Sequence, residues 1–321
     1  MISKPKIGVS ECLAGSVAHF TFGGKPLADG IGNLFQWVSY SPVLTDFFMN
    51  LPTAVMTNTT AFDSCASQMS DIKTINNAHY PALNYAQSIN SFTGFIICNN
   101  SHNQKKTNTG IAKGREKICD EIKKISRFRS IMQEKYPWIP VVESEQLVDP
   151  ILCENFIIRV FTLSELNSLR KRKLTRKALI AFHSRYKLLL LAHSQPGYRE
   201  LGPFVAQIHQ WDNLDAFFTA YRKKLMAILK RPATRANHTN VMMHVQGYFR
   251  SQLSSHQRSE LSGVIHDYRS GLLPISAPLG LFKRYLSEYP DNYLLSQRYF
   301  MPYSDSLYRL NNSCCRKAAM E

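Results

Sequence analysis

Between residues 178 and 310 apolar side chains recur at a 3.6-residue period, interrupted at Pro196-Gly197, at Pro232, at Gly271 with Pro274, and at Pro290. A stretch with that period buries one helical face and cannot serve as a strand, whose faces alternate every residue. It predicts roughly five or six helices with short connections, a bundle-like all-α unit. The punctuation agrees. Asp212 or Asn213 is a fitting N-cap before Leu214–Leu229, as are Ser254-Ser255 before His256–Tyr268, because their side-chain oxygens can take a first-turn N–H. Gly271 can close that helix in the left-handed conformation.

The front of the chain has a different rhythm. Short apolar runs at Lys6–Ser10, Phe35–Tyr40, Gly94–Cys98 and Ile139–Val142 read as strands. Pro42–Asn50, Pro81–Phe92 and Lys113–Lys135 read as helices between them. This alternation predicts an α/β domain with a mostly parallel sheet and Rossmann-like layers. Such sheets hold ligands beyond the carboxyl ends of their strands. Cys12, Ser41 and the Asn99–Gln104 loop follow strand ends, so they are candidates for one site. Asn155–Phe161 leads out of this domain. The expected organisation is therefore 1–165, a basic linker at 166–177, the helical domain at 178–310 and a frayed tail at 311–321.

Charge is unevenly spread. The 321 residues carry a formal +16. Residues 170 to 250 hold sixteen Lys and Arg against the acids Glu200, Asp212 and Asp215, whereas residues 1–150 are nearly balanced. Six of the eight residues from Arg170 to Lys177 are basic. Local basicity of this kind is the electrostatic footprint of a polyanion partner. A membrane is a weaker candidate, because no run of eighteen apolar residues exists. The opening residues have no signal-type apolar region, and a cytoplasmic protein is expected. Seven irregularly spaced cysteines fit reduced thiols.

Two segments of the helical half carry unusual polar residues. Phe182-His183 runs on through Lys187 to His193 and Tyr198. Arg231-Pro232-Ala233-Thr234-Arg235 runs on through Asn237, His238, Asn240, His244 and Tyr248 to Arg250. Both read as helices, with His183 and Lys187 on one face and Asn237, Asn240, His244 and Tyr248 in one stripe beside Met242, Val245 and Phe249. Any one histidine is explained by a place at the edge of a core. Together, imidazoles, carboxamides, a phenol and guanidiniums suit hydrogen bonding, stacking and phosphate pairing. The candidate binding residues are His183, Lys187, His193, Arg231, Arg235, His238, Asn240, His244, Tyr248 and Arg250. No HExxH and no paired CxxC marks a metal site.

These residues resemble a known two-domain bacterial arrangement. Phe182-His183, Lys187–His193, Tyr198-Arg199-Glu200-Leu201-Gly202, Arg231–Arg235, and His238 through Gly247-Tyr248-Phe249 resemble the YbgA-type domain of unknown function. Lys6–Ser10, Cys12-Leu13, Gly15, Gly23-Gly24-Lys25, Trp37-Val38 and Gly94-Phe95-Ile96 resemble the thiouracil desulfidase family. The second resemblance implies a [4Fe–4S] cluster on three cysteines that takes sulfur from a thiolated pyrimidine. Cys12 matches the first ligand, but Ser41 and Gln104 stand where the other two belong. Hydroxyl and carboxamide are poor iron ligands beside thiolate. The expectation is a desulfidase fold without cofactor or catalysis, joined to a helical domain that grips RNA, with tRNA as the partner the resemblance implies. Two alternatives stand beside it: an active desulfidase with Cys98 and Cys65 as substitute ligands, and an enzyme using His238 and His244 as acid and base.

Overall fold

The computed structural model describes residues 4–10, 21–22, 25–26, 37–43, 89–97, 123 and 125–303. Strands β1 (Lys6–Ser10), β4 (Ser39–Val43), β5 (Gly94–Ile97) and β6 (Val141–Glu143) form one sheet in the order β4-β1-β5-β6, and every pairing is parallel. A separate antiparallel pair joins β2 (Thr21–Phe22) to β3 (Lys25–Pro26). Ile7, Val9, Phe95, Ile96 and Ile97 are all buried. Burial on both faces is why these strands read as continuous apolar runs.

The expected second strand, Phe35–Tyr40, is displaced. Trp37 and Val38 precede it, and β4 continues through Ser41, Pro42 and Val43. Sequence alone reads Pro42 as the start of a helix. β4 lies at the edge of the described sheet, where a missing N–H leaves no ladder bond unmade. Ser41 is accordingly inside the strand, opposite Gly8, and not at its carboxyl end. The remaining strands lie close to their expected places. Cys12, Cys65, Cys98, Gln104 and most of the predicted front-half helices lie outside the described residues.

The 22-residue helix α1 (Pro150–Lys171) is the backbone of the molecule. Asp149 caps it, its carboxylate accepting from the Ile151 and Leu152 N–H groups. Phe156, Ile157, Val160, Leu163 and Leu166 are buried, as are Asn155, Thr162 and Glu165. Buried residues in nearly every direction mark a central helix. One side lies on the sheet: a Cβ on Gly94 of β5 would stand 2.7 Å from Val160 Cγ2 and 3.1 Å from Phe156 Cζ. The other side meets the helical half, where the Asn155 carboxamide donates to the Leu229 carbonyl at 3.1 Å. The expected boundary at 165 therefore falls inside a continuous helix, and Asn155–Phe161 is part of that helix and mostly buried. The basic linker is mostly helix too. Arg170 and Lys171 form the last turn of α1, and Arg176 and Lys177 open the next helix. Cations there complement the exposed carbonyls of α1.

The helical half follows as α2 (Arg176–His193), α3 (Gln195–Ala206), α4 (Leu214–Leu229), α5 (Arg235–Tyr248), α6 (Ser255–Ser270), α7 (Ser276–Glu288) and the short α8 (Asn292–Ser296). Asn213 caps α4, Ser254 caps α6 within a capping box completed by Gln257, and Gly271 ends α6 at φ +86°. The first break falls at Ser194, which caps α3 and places Pro196 in its first turn. The seven helices exceed the expected five or six because α8 spans only five residues, too few to display a period.

The tight approach of α1 to β5 makes a clear prediction. Gly94→Ala should destabilise the chain by about 1–3 kcal/mol, the usual cost of overpacking a filled core. Chemical denaturation monitored by circular dichroism measures it, and an unchanged midpoint would contradict this packing.

Candidate functional site

The predicted residues separate into two groups along α2. The first lies where α2 ends. His193 is its last residue and 5% exposed. Its Nδ1 lies 2.7 Å from the Arg231 carbonyl oxygen. A carbonyl only accepts, so Nδ1 carries the proton and Nε2 keeps its lone pair. Asn237 donates to the His193 carbonyl at 3.4 Å. His238, the next residue of α5, lies 3.0 Å from the Tyr299 hydroxyl through Nδ1. The Arg235 guanidinium lies over the Tyr268 ring at 4.7 Å and donates to the Tyr268 and Leu273 carbonyls. It thereby ties α5 to the end of α6. Arg231 belongs to the connector before α5: the helix starts only at Arg235, because Thr234 caps it by accepting from the Asn237 N–H.

Burial sets the charge of these rings. Desolvation lowers His193 to about 4, with the Arg231 carbonyl opposing that shift and the nearby Arg159 charge adding to it. His238 falls to about 3 through desolvation, then through the charges of His193 and Arg235. Both are neutral at pH 7.

The second group surrounds the middle of α2. His183 is buried, with its ring parallel to Tyr198 at 5.8 Å and its Nδ1 3.3 Å from the Tyr221 hydroxyl. Desolvation lowers it to about 4. One turn on, the Lys187 ammonium lies over the Tyr293 ring at 5.9 Å. Tyr293 stacks on Tyr248 at 5.6 Å, and His244 meets Tyr248 edge-on at 5.7 Å. Tyr248 is 37% exposed, and Asn240 and His244 share its open face of α5, while Met242 and Val245 fill the core. The Tyr293 hydroxyl is buried, and desolvation raises its pKa. Arg250 is exposed beyond the end of α5.

The expected stripe of α5 thus divides into a half-buried start, Asn237 and His238, and an exposed remainder, Asn240, His244 and Tyr248. Tyr293 and Tyr299 were missed because they come from the distant end of the chain. Arg159 left a signal, a lone cation between Ile158 and Val160. On the front half, the hydroxyl of Ser41 inside β4 does not fit an iron–sulfur ligand. Among the described residues, no three His, Cys, Asp or Glu side chains are grouped as metal ligands would be. No helix among them is long and apolar enough to cross a membrane.

The family model described as "Protein of unknown function (DUF1722)" matches residues 187–304. That range contains the second half of α2, with His193, and all of α5. The uncharacterized protein YbgA of Escherichia coli (strain K12) is 52% identical over 147 residues, covering 46% of this chain and 87% of the relative. No solved structure matches the chain.

The neutral histidines fix a pH response. His183 and His193 titrate near 4 when folded, against an ordinary 6.5. Between those values the unfolded chain holds more protons. Stability is therefore complete above about pH 6.5 and falls as pH drops towards 4, by about 1.4 kcal/mol per pH unit per ring. His193→Gln should remove one ring's share of that slope. Denaturant titrations from pH 7 to 4 read it, and an unchanged slope would place the His193 titration elsewhere.

Proposed function

This chain belongs to the YbgA-like family, and from that premise we propose that its helical half is an RNA-binding module with tRNA as partner. It is joined to a front half of thiouracil desulfidase type that has lost cluster ligands and, with them, desulfidase activity. The proposed setting is the cytoplasm. The observation that carries the reading is a surface aromatic stack with a lysine ammonium against it. Tyr248 is open to solvent and backed by Tyr293, with Lys187 and His244 beside the pair. Every base offers a π-face to such a platform, and unpaired RNA bases are commonly bound this way.

A route for the phosphates leads towards it. Arg176 and Lys187 are separated by three turns of α2, so they share a face about 16 Å apart. The first lies within the exposed basic run from Arg170 to Lys177. Arg170 is paired with Asp215 at 2.9 Å, a contact that water screens. Lys223, Lys224, Lys230, Arg231 and Arg250 are exposed as well. His183 and His193 lie behind this surface and serve it by packing. An acid–base role for His238 and His244 has less support, because a ring held near 3 is poorly matched to proton transfer at pH 7.

Filter binding of full-length protein to tRNA tests the proposal. With about six phosphates engaged, affinity should fall about 10³-fold between 50 and 200 mM salt. Tyr248→Ala should weaken binding by about 1–3 kcal/mol, the usual worth of one stacked base, with little change in melting temperature. Salt-independent affinity would reject the polyanion reading, and undiminished binding by Tyr248→Ala would reject the platform.

A further inference from the structure

We propose that the buried junction of α1, α2 and the start of α5 is an oxyanion site for a phosphoryl group that still carries a proton, either inorganic phosphate or a small phosphate monoester. The proposal is independent of RNA binding. A phosphodiester has no such proton, and the junction lies behind the surface.

Two unmet demands define the site. His193 presents a buried Nε2 without a hydrogen-bond partner, and its Nδ1 bond to Arg231 makes that atom an acceptor. It needs an O–H or N–H. Arg159, from α1, presents a buried Nε that is also without a partner. It needs an acceptor, and its charge needs an anion. Among the described residues no carboxylate pairs with Arg159, although Arg185, Arg298 and Arg284 all have acid partners. Arg159 is half-buried, but its Nε is shut off from water, and an unpaired donor in such a place is costly. The first turn of α5 adds further positive potential. Arg235 lies there, and the N-terminus of α5 carries the positive end of its helix dipole.

Few ligands meet both demands. Water can donate to Nε2 but leaves the Arg159 charge unanswered. A carboxylate or sulfate answers the charge but has no proton to give at neutral pH. A phosphoryl group, whose second ionisation lies close to neutrality, does both. One oxygen accepts from the guanidinium, and a protonated oxygen shares its hydrogen with Nε2. No covalent step is involved. A buried site that requires a ligand O–H rejects analogues lacking it, because the acceptor is otherwise left unpaired.

Isothermal calorimetry of the full chain in phosphate-free buffer at pH 7 tests this, with inorganic phosphate, uridine 5′-monophosphate and sulfate as probes. One-to-one phosphoryl binding at least about tenfold tighter than sulfate is expected, from the loss of one hydrogen bond to a buried partner. Tighter binding of the nucleotide assigns the site to a monoester, and tighter binding of inorganic phosphate assigns it to the free ion. Arg159→Gln should weaken phosphate by about tenfold or more. His193→Gln, which can donate as well as accept, should bring phosphate and sulfate to within about twofold. The second variant stands if the first fails to fold. Absence of phosphoryl binding, equal affinity for sulfate, or wild-type affinity in a folded His193→Gln protein would overturn the proposal, whatever the outcome with tRNA.

Discussion

Glu165 is the one acidic side chain among the buried described residues, and the helical half is assembled around it. It projects from α1 and receives Arg185 of α2 at 2.7 Å, the Tyr186 hydroxyl at 2.9 Å and Arg298 at 2.9 Å. A buried carboxylate is tolerable only with its lone pairs met, so these partners must close together or not at all. The adjoining Gln297 extends the clamp. Its carboxamide donates to the Ser184 carbonyl and accepts from the Leu188 N–H, the same pair of peptide groups that an α-helix ordinarily links. The chain's last described segment is thereby fastened to α2. This is how Tyr293 and Tyr299 come to lie against Lys187 and His238.

That arrangement explains which parts of the molecule were legible in the sequence. The caps at Asn213 and Ser254 and the left-handed Gly271 are local chemistry, and each does what its residue type allows. The α/β front and helical back follow from period alone. Boundaries were lost where tertiary structure overrides local signals. Pro42 does not stop β4, because the edge of a sheet tolerates it. The basic run at Arg170–Lys177 resembles a solvated linker but consists of two helix ends, with Lys173 in the left-handed region between them at φ +85°. A chain made of two tidy domains would not need α1, whose Phe156 and Val160 belong to the sheet and whose Asn155 and Glu165 belong to the bundle.

The candidate site was legible as a set of residues but not as a geometry. Helical spacing put His183 with Lys187, and Asn240 with His244 and Tyr248, on common faces. It could not show which faces are wet. Histidine is ambiguous in this respect, since the same ring serves as a surface cation or as a neutral core group depending on its desolvation. His183 and His193 took the second course, with Tyr221 and the Arg231 carbonyl as partners. The aromatic platform depends on Tyr293, more than forty residues beyond Tyr248, and no periodicity links them.

Neutrality changes what the imidazoles can contribute. Charged rings would add to a diffuse cationic field that salt weakens and that discriminates little between anions. A neutral ring with one nitrogen committed to a backbone carbonyl has a fixed tautomer, so its other nitrogen makes a directional demand. The helical half therefore has two kinds of electrostatics. Exposed lysines and arginines attract over a Debye length without regard to detail. Behind them, an acceptor and a donor await partners in the low-dielectric interior, where an unmet hydrogen bond costs most. Glu165 settles this imbalance for Arg185 and Arg298. Arg159, six residues earlier on the same helix, has no such carboxylate among the described residues. The same helix that organises the core thus leaves the Arg159 Nε shut off from water and unpaired, a donor that an anion from outside those residues would meet.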